Sequence, residues 1–198
     1  MSRGSILLIA LTAMLLALGL GFAVTPGCSR HDVDADGTPA VDTEIMAFLS
    51  EARAFHHQAN LAEEGGDLAP AVNAMDRLVN AQRPHPERMT PEVEEVLADA
   101  YARLAELRLK KGELDPAATA IKNGLEHVAE ATYFRGHLIE VQGLVEEARA
   151  AQLADAGKPE AAKLAREHAI QLLEEVVKIQ DQVIQRSLAK DGGVEAAR

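Results

Sequence analysis

Histidine is the side chain best suited to hold a metal or pass a proton near neutral pH, and this chain carries seven. Their spacing decides what they can do. His127-x-x-Glu130 and His137-x-x-Glu140 each put an imidazole and a carboxylate on one helix face, but neither pair has a further ligand beside it. They read as helix-surface pairs. His56 and His57 are adjacent, so on a helix they point about 100° apart and make a poor chelate. His-Glu-x-x-His, Cys-x-x-Cys-His and the Glu-x-x-His of diiron bundles are absent. Asp32-Val33-Asp34-Ala35-Asp36-Gly37 has the alternating carboxylates and the glycine of a calcium loop. The twelfth place, however, falls on Thr43, Glu44 comes one residue late, and no entering helix precedes the run. A solvated tether is the better reading. With no Gly-x-Ser-x-Gly elbow and no glycine-rich phosphate loop, the pattern predicts neither an enzyme nor a cofactor or metal site.

The composition is that of a helical protein rather than one built of strands. The chain is 47% hydrophobic but only 3% aromatic, has no Trp, and is 26% charged, a profile of Ala, Leu and Glu-rich helices. Its net charge of −11 repels phosphate backbones, so nucleic acid is not an expected partner. A single cysteine rules out an intramolecular disulfide, and helix packing must supply the stability.

Arg3 is followed by Ile6 to Val24, nineteen residues without a charge, and then by Thr25-Pro26-Gly27-Cys28-Ser29. A run of that length serves as the apolar core of an export signal or as a helix just able to span a bilayer. Cys28, behind the small residue Gly27, resembles the lipobox of bacterial lipoproteins, although Pro26 departs from the small or aliphatic residue usual there. That resemblance implies cleavage before Cys28 and acylation on it, and Ser29 in the next place implies the outer membrane. The alternative is an uncleaved signal anchor in the inner membrane. Either way the body lies on the periplasmic face, since Arg3 marks the inner end and Asp32, Asp34 and Asp36 lie beyond the other. The division expected is an export segment over 1–27, an acidic linker over 28–40, a helical domain over 41–189 and a flexible tail over 190–198.

Within 41–189 the apolar spacing predicts six helices. The first, from near Thr38 or Asp42 to Glu64, carries Val41, Ile45, Phe48, Ala52, Phe55, Ala59 and Ala62 at steps of four and three. The second follows Asp67 and stops before Arg83-Pro84-His85-Pro86. The third starts with Thr90 as cap and Pro91 in the first helical place, and the fourth restarts at Asp115-Pro116. The fifth begins near Thr132. The sixth runs from Pro159 to about Leu188, roughly 45 Å, longer than its hairpin partner can cover.

Three of the connections repeat. Gly66, Gly112 and Gly157 are spaced by 46 and 45 residues, and each has an Ala seven places before it (Ala59, Ala105, Ala150) and five after it (Ala71, Ala117, Ala162). Small residues there let two antiparallel helices approach closely. An aromatic lies eleven before the glycine in two copies, Phe55 and Tyr101, with Glu146 in the third. This pattern resembles the tetratricopeptide repeat (TPR), over about Val41 to Ala189, with a longer period than the family's 34 residues and without its closing proline. The fold expected is all-α, three antiparallel helical hairpins in a TPR-like right-handed array, with an up-and-down bundle as the alternative.

The resemblance implies a groove lined by the first helix of each hairpin that receives a protein or peptide partner. The matching places are Arg53, His56 and Asn60, then Asp99, Arg103 and Glu106, then Leu144, Glu147 and Ala151. Asn60 matches the asparagine of chaperone-tail clamps, but Leu144 and Ala148 replace the basic partners, so that clamp is not expected. The function implied is a non-catalytic scaffold or adaptor tethered to the bacterial envelope. The alternative is a structural homodimer formed through the long last helix by Leu172, Val176, Ile179 and Val183.

Overall fold

The computed structural model describes residues 41–195, with side chains described over 41–189. Cys28, the export segment, the acidic linker and residues 196–198 lie outside the described residues. Six helices account for the described fold, which is all-α: α1 (Thr43–Glu64), α2 (Leu68–Val79), α3 (Pro91–Lys110), α4 (Leu114–Leu125), α5 (Tyr133–Asp155) and α6 (Pro159–Glu195). Among the described residues no helix is long and apolar enough to cross a membrane.

The three hairpin turns are built alike, and the reason is in the glycines. Gly66, Gly112 and Gly157 have φ of 79°, 76° and 70°, a left-handed backbone that a Cβ resists. Each closes the same pair of bonds. Gly66 N–H donates to Glu63 O and Asp67 N–H to Ala62 O, and the same offsets recur at Gly112 and Glu113 and at Gly157 and Lys158. The alanines on either side, Ala59, Ala105, Ala150, Ala71, Ala117 and Ala162, are all buried.

Helix starts follow ordinary capping chemistry, with two differences from the sequence reading. Asp42 caps α1 through Oδ1 with Glu44 and Ile45 N–H, and Thr132 Oγ1 caps α5 at Arg135 N–H. Thr90 has the extended backbone of a cap, but its hydroxyl makes no cap bond. The fourth helix starts at Leu114, so Pro116 occupies the third helical place, where its missing N–H costs nothing.

Each first helix contacts the next, α1 on α3 and α3 on α5, while α2 and α4 each pack between two first helices. Among the described residues no contact joins α2, α4 and α6 to one another. The core lies among α1–α5, where Met75, Leu78, Leu97, Leu104, Ile121 and Leu138 are under 2% exposed. Burying a side chain of this size is worth about 1.5–3 kcal/mol.

Both α6 and the start of α1 depart from the expectation. Helix α6 continues through Gly192-Gly193 to Glu195 instead of ending at Leu188, because no proline intervenes and a glycine at the end of a long helix costs only about 1 kcal/mol. Val41, placed in the α1 stripe, is in contrast exposed, since it precedes the Asp42 cap. Leu172, Val176, Ile179 and Val183 face the hairpin itself, Leu172 and Ile179 buried beside Ile139 and the other two packed against them. They are therefore not available to a second copy. The overlong part of α6 is met by the α4–α5 connection, where Arg186 Nη1 donates to Ala131 O at 3.0 Å.

Candidate functional site

The side on which α1, α3 and α5 adjoin carries a linked set of polar residues, placed there by i, i+4 and i, i+3 steps on α1 and α3. Arg103 is its centre. Its Nη1 donates to Glu106 Oε2 at 3.0 Å, and Nη2 donates to Asn60 Oδ1 at 3.1 Å and to Glu63. Lys110 closes on Glu63 from the other side. His137 of α5 brings Nε2 to 3.2 Å from Glu106 Oε1 and Nδ1 to 3.5 Å from Asp99 Oδ1. His56 Nε2 lies 3.8 Å from Asp99 Oδ2.

Two histidines on either side of Asp99 are thus held in opposite states. Asp99 and Glu106 raise the His137 pKa to about 9, so it is protonated at neutral pH. With Nδ1 at 3.5 Å, the Asp99 share is charge attraction more than hydrogen bonding. His56 is lowered, first by burial and then by Arg103, which together outweigh Asp99. Burial pushes Glu106 up, but His137 and Arg103 pull it below the usual carboxylate range. Glu63 is lowered chiefly by Lys110, then by Arg103. The charges of Arg103, Lys110 and His137 balance those of Glu63, Asp99 and Glu106. The middle of this side is therefore an interhelical tie with no net attraction for an ion.

The structure brings together His56, Asn60, Asp99, Arg103 and Glu106 as the sequence reading placed them. It adds Glu63, Lys110 and His137. Arg53 and Glu147 are exposed and join none of these pairs, and Leu144 and Ala151 are likewise exposed. The third copy departs because α5 is slid along α3. Partners across α1 and α3 lie 40 to 47 residues apart, near the repeat spacing, whereas those across α3 and α5 lie 31 and 38 apart. The cause is the connections. Helices α2 and α4 have 12 residues each, too short to return the chain to the start of a 20-residue first helix. Residues 80–90 make up that distance before α3, with His85 and Arg88 tied to Asp42 at 2.7 and 2.9 Å. The shorter run 126–132 does not, so α5 starts level with the middle of α3.

A second polar centre sits on the other flank of α3. Glu94, only 6% exposed, accepts from Arg83 and from His127 Nδ1 at 2.6 Å. Tyr101 stacks on the His127 ring at 5.5 Å. Burial and then the Arg83 guanidinium lower the His127 pKa. An open cleft of about 330 Å³ adjoins it, lined by Glu94, Glu95, His127 and Glu130 among others. Neither His127 nor His137 uses the carboxylate three places on. His127, just past the end of α4, and His137, on α5, both reach across to α3, and the sequence offers no signal for that choice. Among the described residues no three His, Cys, Asp or Glu side chains are disposed to hold a metal.

Comparison of the chain with protein-family models, with curated proteins and with solved structures finds no match.

Proposed function

We propose that this protein is a non-catalytic scaffold, a TPR-like array of three helical hairpins that holds a protein or peptide partner along the side formed by α1, α3 and α5. The observation that carries the reading is the contact order. First helices adjoin one another in sequence while second helices do not, which leaves a continuous first-helix side available to a partner. The paired buried alanines and the three equivalent left-handed glycine turns support the same reading. A chaperone-type carboxylate clamp is disfavoured, because Asn60 and Arg103 are engaged by each other and by Glu63 and Glu106. Arg53 and Glu147 are the exposed charged positions of the implied groove that none of these pairs engages.

Photo-cross-linking in the source cell tests this. A photoreactive residue at Arg53 or at Glu147 is expected to give one shared adduct, and the same residue at Lys122, on α4, none. Adducts of equal yield from all three positions, or from none, would overturn the assignment of this side. Attachment to the envelope rests on the resemblance at Cys28. Labelled fatty acid is expected to enter the wild-type protein and not Cys28→Ser; equal labelling, or none, removes the lipid anchor and leaves the uncleaved helix.

A further inference from the structure

Helices α2 and α4 each cover two flanks, one on their own first helix and one on the next. Helix α6 covers only the first. The flank it leaves open is apolar: Ile170, Leu173, Val177 and Ile184 follow one another at steps of three, four and seven and are 53, 39, 60 and 53% exposed. On α5 the strip is continued by Leu144, 40% exposed, which follows Gly143, the residue on which Leu173 packs. In the two earlier junctions of this molecule, the equivalent place beside a hairpin is taken by the next first helix.

Charge says what kind of helix fits here. Glu167, Glu174 and Asp181 form a row at seven-residue steps along the solvent edge of the α6 strip, and Glu140 and Glu147 stand in the same relation to Leu144 on α5. All five are exposed. Of these, only Glu167 has an ion-pair partner among the described residues, Lys163 at 3.8 Å. A second copy of this chain would bring the acidic edge of α6 against another acidic surface, at a net charge of −11 per copy. A basic edge is the complement.

We propose that the open α5–α6 strip docks an amphipathic helix of a partner protein whose apolar stripe is flanked by Lys and Arg. This builds on the scaffold reading and centres on α6; it adjoins the first-helix side at Leu144 and Glu147 of α5, so Arg53, on α1, is the position that tells the two apart. An apolar strip selects for a helix, and the carboxylate rows select for the sign of its flanks.

The probe is a fluorescein-labelled 21-residue helical peptide with Leu at the heptad positions and Lys on both flanks, titrated against the full chain. A peptide of identical apolar face with Glu flanks is the control. The Lys peptide should bind at least about tenfold more tightly, with an advantage that shrinks as salt rises. Val177→Glu should abolish binding; this side chain is 60% exposed, so the variant keeps its fold, which circular dichroism verifies. Glu174→Lys combined with Asp181→Lys should reverse the preference toward the Glu peptide. Reversal of Glu51 and Glu64 on α1 should change nothing. Equal affinity for both peptides overturns the proposal, as does Lys-peptide binding that survives Val177→Glu. So does an efficient Val177→Cys to Val177→Cys cross-link between copies in the Cys28→Ser background, which would give the strip to a second copy. Peptide binding without adducts at Arg53 sinks the first-helix face alone, and the converse result sinks this one alone.

Discussion

The two hairpins of α1–α4 and the single hairpin of α5–α6 share a turn and a pair of alanines, yet they are stabilised differently. In the first region each second helix is clasped between two first helices, and the largest buried side chains lie there or on the face of α5 that meets it. In the second, α5 is the one helix that α6 packs on among the described residues, with Leu125 and Ala131 at its far end, and the cluster between them is centred on Ile139, Leu172 and Ile179. A repeat in sequence is thus not a repeat in stability. The units that have a successor become core, and the unit without one keeps a free flank.

The strongest way to break this contrast is to truncate a core residue in each region. Leu104→Ala, at 2% exposure among α1–α5, should cost about 2–5 kcal/mol and lower the protection of every helix. Leu172→Ala, at 8%, should cost about 2 kcal/mol and raise hydrogen exchange in α6 and the facing part of α5 only. Equal loss of protection in α1–α4 from Leu172→Ala would show one cooperative unit and remove the distinction.

Glycine replacement sharpens the contrast at a finer scale. A Cβ on Gly124 of α4 would lie 2.6 Å from Leu138 Cδ2 and 2.8 Å from Tyr101 Cβ, and the latter atom is tied to the backbone of α3. Overpacking of this kind costs about 1–3 kcal/mol, more than the helix propensity that Ala brings. Gly124→Ala should therefore lower the denaturant midpoint, and an unchanged midpoint would mean that α3, α4 and α5 are less tightly joined than their contacts indicate.

What was legible in the sequence follows the same division. The glycine turns and their alanines were legible because their causes are local: a positive φ demands glycine, and close helix approach demands a small side chain. The six helices were legible from periodicity and caps for the same reason. The polar tie was half legible. Helical spacing puts His56 and Asn60 on one face of α1 and Asp99, Arg103 and Glu106 on one face of α3, and it is the TPR resemblance that implies one shared side for the two faces, but His137 reaches them only because α5 is slid along α3. That slide depends on the lengths of residues 80–90 and 126–132 measured against the rise still to be recovered, a relation between distant segments that no local motif carries. Periodicity separates the stripe of Leu172, Val176, Ile179 and Val183 from the flanking Leu173, Val177 and Ile184, but which of the two sets meets α5 depends on neighbours that the spacing does not name.

His137 tests the join between the two regions through pH. Its pKa is raised from 6.5 to about 9 by Asp99 and Glu106 on α3. A raised value means that the stabilisation is complete below pH 6.5 and is lost as pH rises through about 9. His137→Gln should cost about 1 kcal/mol at pH 6 and almost nothing at pH 10. A difference from wild type that stays flat across that window would remove the charge from the account and leave only packing.

The smallest effect expected is also the most discriminating. Gly136 of α5 faces α6, and a Cβ there would stand 2.6 Å from Gln180 Nε2, nominally as severe a clash as the one at Gly124. The atom it meets, however, is the far end of a flexible side chain on a helix that packs on α5 and on no other helix among the described residues. Gln180 can rotate toward the open flank at the cost of one rotamer. Ala in the first turns of a helix then gains about 0.5 kcal/mol over Gly. Gly136→Ala should leave the melting temperature unchanged or raise it slightly, in opposition to Gly124→Ala. If both variants lose stability equally, α6 is held from a second side after all, and the flank assigned to a basic helix is already filled.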